Sequence, residues 1–132
     1  MWEKLKVNNY ITTYTRKKFY PLNPDKNDIE IEDISHSLSL LARANGHMNY
    51  FFSVAQHSIN CAIEAKARGY GKALQLACLL HDGSEAYLGD ITRPLKQHLD
   101  FYLEIEEKVQ GLVWEKFLSD ELTDDDKKKI YE

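Results

Sequence analysis

The run Ala73-Leu74-Gln75-Leu76-Ala77-Cys78-Leu79-Leu80 carries a single polar side chain and is followed at once by His81-Asp82. A segment apolar nearly all round packs as a central helix, since every face of it seeks apolar contact. Ending that helix in an imidazole and a carboxylate sets two strong metal ligands at the edge of the core. Adjacent helical residues project about 100° apart, so the two side chains approach a common ion from different sides. The donor pair suits borderline or hard divalent ions. A bare His-Asp dipeptide is common by chance, and its surroundings decide what it means.

Those surroundings are polar. Glu85 lies one turn past His81, and Asp90 closes the short segment that begins at Gly83. The plain alternative makes these two carboxylates a solvated loop and a cap for the helix that starts near Pro94. Upstream, His57 shares a helical face with Val54, Ser58, Cys61, Ala62 and Ala65, so its imidazole points toward the core. Taken alone, such a histidine is a hydrogen-bonded core residue. Burying it still asks for a polar partner, and His81-Asp82 can supply one. Arg43 is the natural phosphate binder, because a guanidinium pairs with two phosphate oxygens at once. Lys96 is a second cationic candidate. By position alone each is an ordinary surface cation.

The remaining patterns are mostly helical. Tyr10-Ile11-Thr12-Thr13-Tyr14 and Lys18-Phe19-Tyr20 suit a small hairpin or extended arm ended by Pro21 and Pro24. Ile31, Ile34, Leu38 and Leu41 recur at helical spacing, with Gly46 closing that helix and Arg43 near its end. Ser53 is an N-cap for a helix to about Arg68, and Gly69-Tyr70-Gly71 precedes a third helix from Lys72 to about Asp82. One helical turn is expected between Gly83 and Asp90, and Pro94 sits in the first turn of another short helix. Residues 101–118 form a longer amphipathic helix, and Thr123 caps a last one. The expected fold class is all-α, a helical bundle with a small non-helical N-terminus and no internal repeat.

The chain has 132 residues, the size of one domain. Its 21 acidic residues outnumber 17 basic ones, which argues against a nucleic-acid duplex as partner. No apolar run reaches the roughly 20 residues that span a bilayer, so no membrane is expected. The start Met1-Trp2-Glu3-Lys4-Leu5-Lys6 lacks the apolar stretch of a secretory signal, and a cytoplasmic location follows as the expectation. Cys61 and Cys78 form no C-x-x-C pair, which excludes a zinc-finger or thioredoxin-type site and leaves two buried free thiols.

Several separated motifs in order now resemble the HD-domain superfamily of metal-dependent phosphohydrolases. They are Ile34-Ser35-His36-Ser37-Leu38-Ser39 through Arg43, Gly46-His47, Ser53-Val54-Ala55-Gln56-His57-Ser58, Leu80-His81-Asp82-Gly83-Ser84-Glu85 through Gly89-Asp90, and Arg93-Pro94-Leu95-Lys96. The chain is most similar to the YfbR-like 5′-nucleotidases and the prophage-type HD hydrolases, whose arm Arg16-Lys17-Lys18-Phe19 to Pro24 also resembles. The resemblance implies an arm over residues 1–25 and an HD domain over 26–132. It makes His57, His81 and Asp82 ligands to one divalent transition metal ion, of Mn, Co, Fe, Ni or Zn. It gives proton handling and water positioning to Glu85 and Asp90, phosphate binding to Arg43 with Lys96 beside it, and pocket positions to His36 and His47.

The superfamily pattern is H…HD…D, with its last Asp on a C-terminal helix. Lys128-Lys129-Ile130-Tyr131-Glu132 resembles the run just before that Asp, so the fourth ligand and the closing helices are expected beyond the sequence. Asp124, Asp125 and Asp126 lie about two turns too early and suit a helix N-terminus. The implied activity is metal-assisted hydrolysis of small phosphate esters, nucleoside 5′-monophosphates first, with Tyr87 or an aromatic of residues 49–52 stacking on the base. With no second histidine cluster, a two-metal HD-GYP enzyme fits less well, while triphosphate or alarmone hydrolysis shares the same metal core. The alternative is a catalytically impaired nucleotide- or metal-binding HD module that lacks the fourth ligand. The expected partner is a small phosphorylated substrate, and a homodimer stays open.

Overall fold

In the computed structural model, the described residues are 9–118 and 123–130. The Met1–Lys6 start and the Tyr131-Glu132 end of the last motif lie outside them. The β-branched and aromatic start pairs as a hairpin, β1 (Ile11–Thr12) antiparallel to β2 (Lys18–Phe19), with Ile11 opposite Phe19 and Thr12 opposite Lys18. Two short strands are marginal by themselves, and packing anchors these. Phe19 is fully buried and stacks on Tyr87 with ring centroids 4.1 Å apart. The Thr15 backbone N–H and hydroxyl both donate to the buried Asp33 carboxylate, at 2.8 and 2.9 Å.

The rest of the fold is helical, so the chain is all-α with a short N-terminal hairpin. The helices are α1 (Ile31–Leu40), α2 (Val54–Ala67), α3 (Lys72–Leu80), α4 (Glu85–Leu88), α5 (Arg93–Lys96), α6 (Asp100–Phe117) and α7 (Asp124–Ile130). Their starts follow the sequence signals. The Ser53 hydroxyl accepts from the Gln56 N–H at 3.0 Å, the bond expected of an N-cap. Pro94 lies in the first turn of α5. Thr123 and Asp126 cap α7 reciprocally, the Asp126 N–H donating to the Thr123 hydroxyl and the Thr123 N–H to the Asp126 carboxylate. Three aspartates open that helix and three lysines close it, as the helix dipole favours.

Two helix ends differ from the prediction. The first helix stops at Leu40, well before Gly46, because the next residues find partners across the chain. The Arg43 N–H donates to the Phe52 carbonyl and the Val54 N–H to the Leu41 carbonyl, both at 2.8 Å, and Ala42 bridges Ser53 antiparallel. Arg43 therefore sits in a connection rather than in a helix. Gly46 closes a tight turn there, with φ of 81° after Ala44 at 54° and Asn45 at 53°. The third helix ends at Leu80, and His81 to Ser84 form a turn.

The main core gathers Phe19, Ile29, Ile34, Leu38, Val54, Leu80, Tyr87, Val109 and Val113. Each such side chain contributes about 1.5–3 kcal/mol through burial. α2 packs along α3, and α1 lies against α2 and α4. α3 is not enclosed on all sides, since Leu76 and Leu79 remain 37% exposed. Among the described residues no helix is long and apolar enough to cross a membrane.

Candidate metal centre

The turn after α3 is clamped by α6. Gly83 lies so close that a Cβ there would meet the Leu80 carbonyl oxygen at 3.0 Å and Val113 Cγ1 at 3.2 Å. Beside it the buried Gln110 donates from Nε2 to the Leu80 carbonyl and accepts from the Ser84 N–H with Oε1, both at 3.0 Å. One side chain thereby satisfies the Ser84 N–H and adds a second bond to the Leu80 carbonyl, which also accepts from the Gly83 N–H at 2.9 Å.

That turn presents His81 and Asp82. His81 Nδ1 lies 2.6 Å from the Cys78 carbonyl, which can only accept, so Nδ1 carries the ring hydrogen. His81 Nε2 faces Asp82 Oδ2 at 3.2 Å. Two lone-pair atoms at that separation require a proton or a cation between them. His57 Nε2 faces the same carboxylate oxygen at 3.5 Å, and the two imidazoles meet edge to face with centroids 5.3 Å apart. Arg43 Nη1 donates to His57 Nδ1 at 2.9 Å. Burial first, and the Arg43 charge next, hold the His57 imidazolium below its ordinary pKa, which favours the neutral ring that a metal needs.

Cys61 completes the cluster, one turn after His57 on α2. Its Sγ lies 3.6 Å from His57 Nε2, and the ligand atoms of His57, Cys61 and His81 all fall within 4.8 Å of one another. The thiol is therefore only half-buried and faces the site, whereas Cys78 is buried as expected. The signal for it in the sequence is its spacing of four residues from His57, which competes with the usual burial of a cysteine on an apolar face.

Glu85 is nearly enclosed beside this cluster. Burial first, then the charges of Asp82 and Asp90 and a hydrogen bond with Asp90, push its carboxyl pKa up to about 9. It holds a proton at neutral pH. Asp90 is thus engaged with Glu85, and α5 has Thr92 at its N-cap with no side-chain cap bond. Tyr102 fixes the neighbouring backbone by donating to the Gly89 carbonyl at 3.1 Å. Lys96 is held 2.6 Å from Glu106, so its charge is already matched.

All seven predicted side chains (Arg43, His57, His81, Asp82, Glu85, Asp90 and Lys96) line one cleft of about 1310 Å³. His36 and His47 do not line it; His36 stacks on Tyr14 at 3.8 Å. Tyr87 is not placed to stack on a base, because it is buried against Phe19 and its oxygen accepts from the Glu30 N–H at 3.1 Å. Tyr50 and Phe51 are exposed and lie outside the cleft lining. Among the described residues the aromatic side chain that lines the cleft is Trp114.

Fold and cluster together define a helical bundle with a histidine, carboxylate and thiol centre. No family model matches the sequence. Two uncharacterized bacterial proteins are similar to it. YfdR of Escherichia coli (strain K12) is 38% identical over 109 residues, which cover 83% of this chain and 58% of that protein. RCAP_rcc00048 of Rhodobacter capsulatus is 41% identical over 101 residues, covering 73% of this chain and 52% of that protein. The chain thus spans little more than half the length of the curated relatives it matches.

Proposed function

We propose that this chain carries the metal- and phosphate-binding core of an HD-type phosphohydrolase acting on small phosphate esters, nucleoside 5′-monophosphates first. The observation that carries the proposal is the meeting of His57, His81 and Asp82 around one point, beside Arg43 and a proton-bearing Glu85 in one cleft. The donor set fits a divalent ion, since two imidazoles face one carboxylate oxygen, at 3.5 and 3.2 Å, and imidazole with carboxylate suits such ions. A divalent ion held there would activate water and polarise a phosphoryl oxygen.

The remaining work belongs to the chain's own residues. Arg43 offsets charge on the phosphoryl group. Glu85, kept protonated by burial, gives its hydrogen to the departing alkoxide, and Asp90 orients Glu85 through their shared hydrogen bond. Lys96, paired with Glu106, lines the cleft wall next to them.

The test is metal content together with phosphate release from a panel of nucleoside mono-, di- and triphosphates, with His81→Ala and Asp82→Ala as controls. The proposal expects release to fall by about a hundredfold or more in both variants. Equal release from the variants would sink it. Metal uptake with no turnover on any ester would favour a binding module instead.

A further inference from the structure

One face of α6 forms a wall of the cleft that the proposed function leaves unused. Glu107, Gly111 and Trp114 all line it, and spacings of four and three residues put them in one stripe of the helix. The stripe adjoins the predicted ligands, because Gln110, next to Gly111, is bonded to the Ser84 N–H two residues past Asp82. Gly111 stands inside α6, where glycine is less stable than alanine. Its φ is not positive, and a Cβ there would meet nothing within 4 Å. No described neighbour requires a glycine at that place, and open space over bare backbone suits a flat group. Trp114 packs from behind on both parts of the core while reaching the cleft. Glu107 is exposed, and among the described residues its carboxylate has no hydrogen-bond or ion-pair partner. The neighbouring polar groups are already engaged, Glu106 with Lys96 and the Gln110 amide with Leu80 and Ser84.

From this stripe we infer that α6 carries a nucleobase subsite selective for guanine, so that guanine 5′-mononucleotides are the preferred esters. The subsite rests on the phosphate-ester function proposed above and names the base of its substrate. A carboxylate only accepts, with two oxygens side by side. Guanine presents two adjacent donors, the ring N1–H and the N2 amino group, and can satisfy both oxygens at once. Adenine and cytosine present one amino donor beside a ring nitrogen, whose lone pair repels the second oxygen. Hypoxanthine keeps only the ring N–H. The base lies over Gly111, with Glu107 one turn to one side and the Trp114 indole one turn to the other. Stacking tolerates every base, so Trp114 supplies affinity and Glu107 supplies the choice.

Equilibrium binding of guanosine, inosine, adenosine and cytidine, which carry no ester to cleave, is measured on the full chain by NMR titration. Phosphate release from the four matching 5′-monophosphates and from glycerol phosphate is measured alongside. The wild type should prefer guanosine, and its monophosphate, by about tenfold or more over the other three. Glu107→Gln should move the preference toward adenine, since an amide pairs one donor with one acceptor. Gly111→Leu should weaken all four nucleosides about tenfold or more, with circular dichroism showing that the fold is kept. Equal affinity for the four nucleosides, or a guanine preference kept in Glu107→Gln, would overturn the assignment. Glycerol phosphate cleaved with no nucleoside bound would overturn the subsite and leave the phosphohydrolase standing. Guanosine bound selectively with no ester cleaved would keep the subsite and remove the reaction, and neither binding nor release would remove both.

Discussion

The turn from His81 to Ser84 and the connection from Leu41 to Ser53 face the same cleft, yet they are held in different ways. The turn is pinned by buried groups from α6, with Gln110 bonded to Leu80 and Ser84 and Val113 against Gly83. The connection is tied at its base by two backbone bonds and one bridge, and beyond them Ala44, Asn45 and Gly46 run exposed through left-handed backbone. Ligands to an ion must be placed within fractions of an ångström, whereas a guanidinium can reach a phosphate from several poses. The His81-Asp82 side is built like a core and the Arg43 side like a loop.

The largest effect that sharpens this contrast is expected at Glu85. In the folded protein its carboxyl keeps a proton up to about pH 9, against an ordinary value of 4.5. The unfolded chain therefore loses that proton first as pH rises. The contribution to stability is fully present below pH 4.5 and is lost as pH climbs toward the folded value, with a slope on the order of 1.4 kcal/mol per pH unit. Glu85→Gln, which cannot ionise, should match the metal-free wild type at low pH and grow more stable than it across that window. Urea denaturation at stepped pH with a chelator measures this, and parallel profiles would refute a buried, protonated Glu85.

A smaller effect belongs to the clamp. Gln110→Leu leaves the buried Ser84 N–H without its partner and removes one of the two bonds to the Leu80 carbonyl, at a cost of about 1–3 kcal/mol. If the proposed metal centre holds, the same variant should weaken metal binding roughly 10- to 100-fold, because the turn that carries His81 and Asp82 loses its anchor. Unchanged metal affinity by titration would mean that the turn holds its shape without α6.

The smallest effect is expected on the loop side. Ala44→Gly relieves a left-handed alanine, an arrangement that costs about 1–2 kcal/mol, while adding unfolded-chain freedom worth about 0.4–1 kcal/mol. The net change should be a gain of less than about 1 kcal/mol by thermal or urea denaturation. A loss of several kcal/mol would show that this connection is as tightly specified as the turn.

Local signals carried most of the fold. Ser53, Pro94 and Thr123 mark helix starts because capping chemistry needs only a few neighbouring residues. The end of α1 was not legible, since it is set by Leu41 and Arg43 pairing with Val54 and Phe52, and periodicity does not report on pairing. Gly46 was a true signal of left-handed backbone attached to the wrong element. For the site, the resemblance grouped His57, His81, Asp82, Glu85 and Asp90, and these residues line one cleft. Contacts from distant sequence were hidden, namely the pairing of Lys96 with Glu106, the clamp of Gln110, and the burial of Tyr87 under Phe19.

The hydrogen bond from Arg43 to His57 Nδ1 has a consequence for the order in which ligands load. An arginine can only donate, so in this state Nδ1 accepts and the ring hydrogen of the neutral imidazole sits on Nε2. An ion held at Nε2, as the proposed function has it, would leave the ring hydrogen on Nδ1, where it would oppose the guanidinium donor to donor. Arg43 would then be released from His57 toward the cleft that both line, where a phosphate could receive it. Because linkage is reciprocal, a phosphate that draws Arg43 away raises the affinity for the ion by the same factor that the ion raises the affinity for phosphate. Under the proposed function, this hydrogen bond would make metal and anion cooperative ligands of a single site.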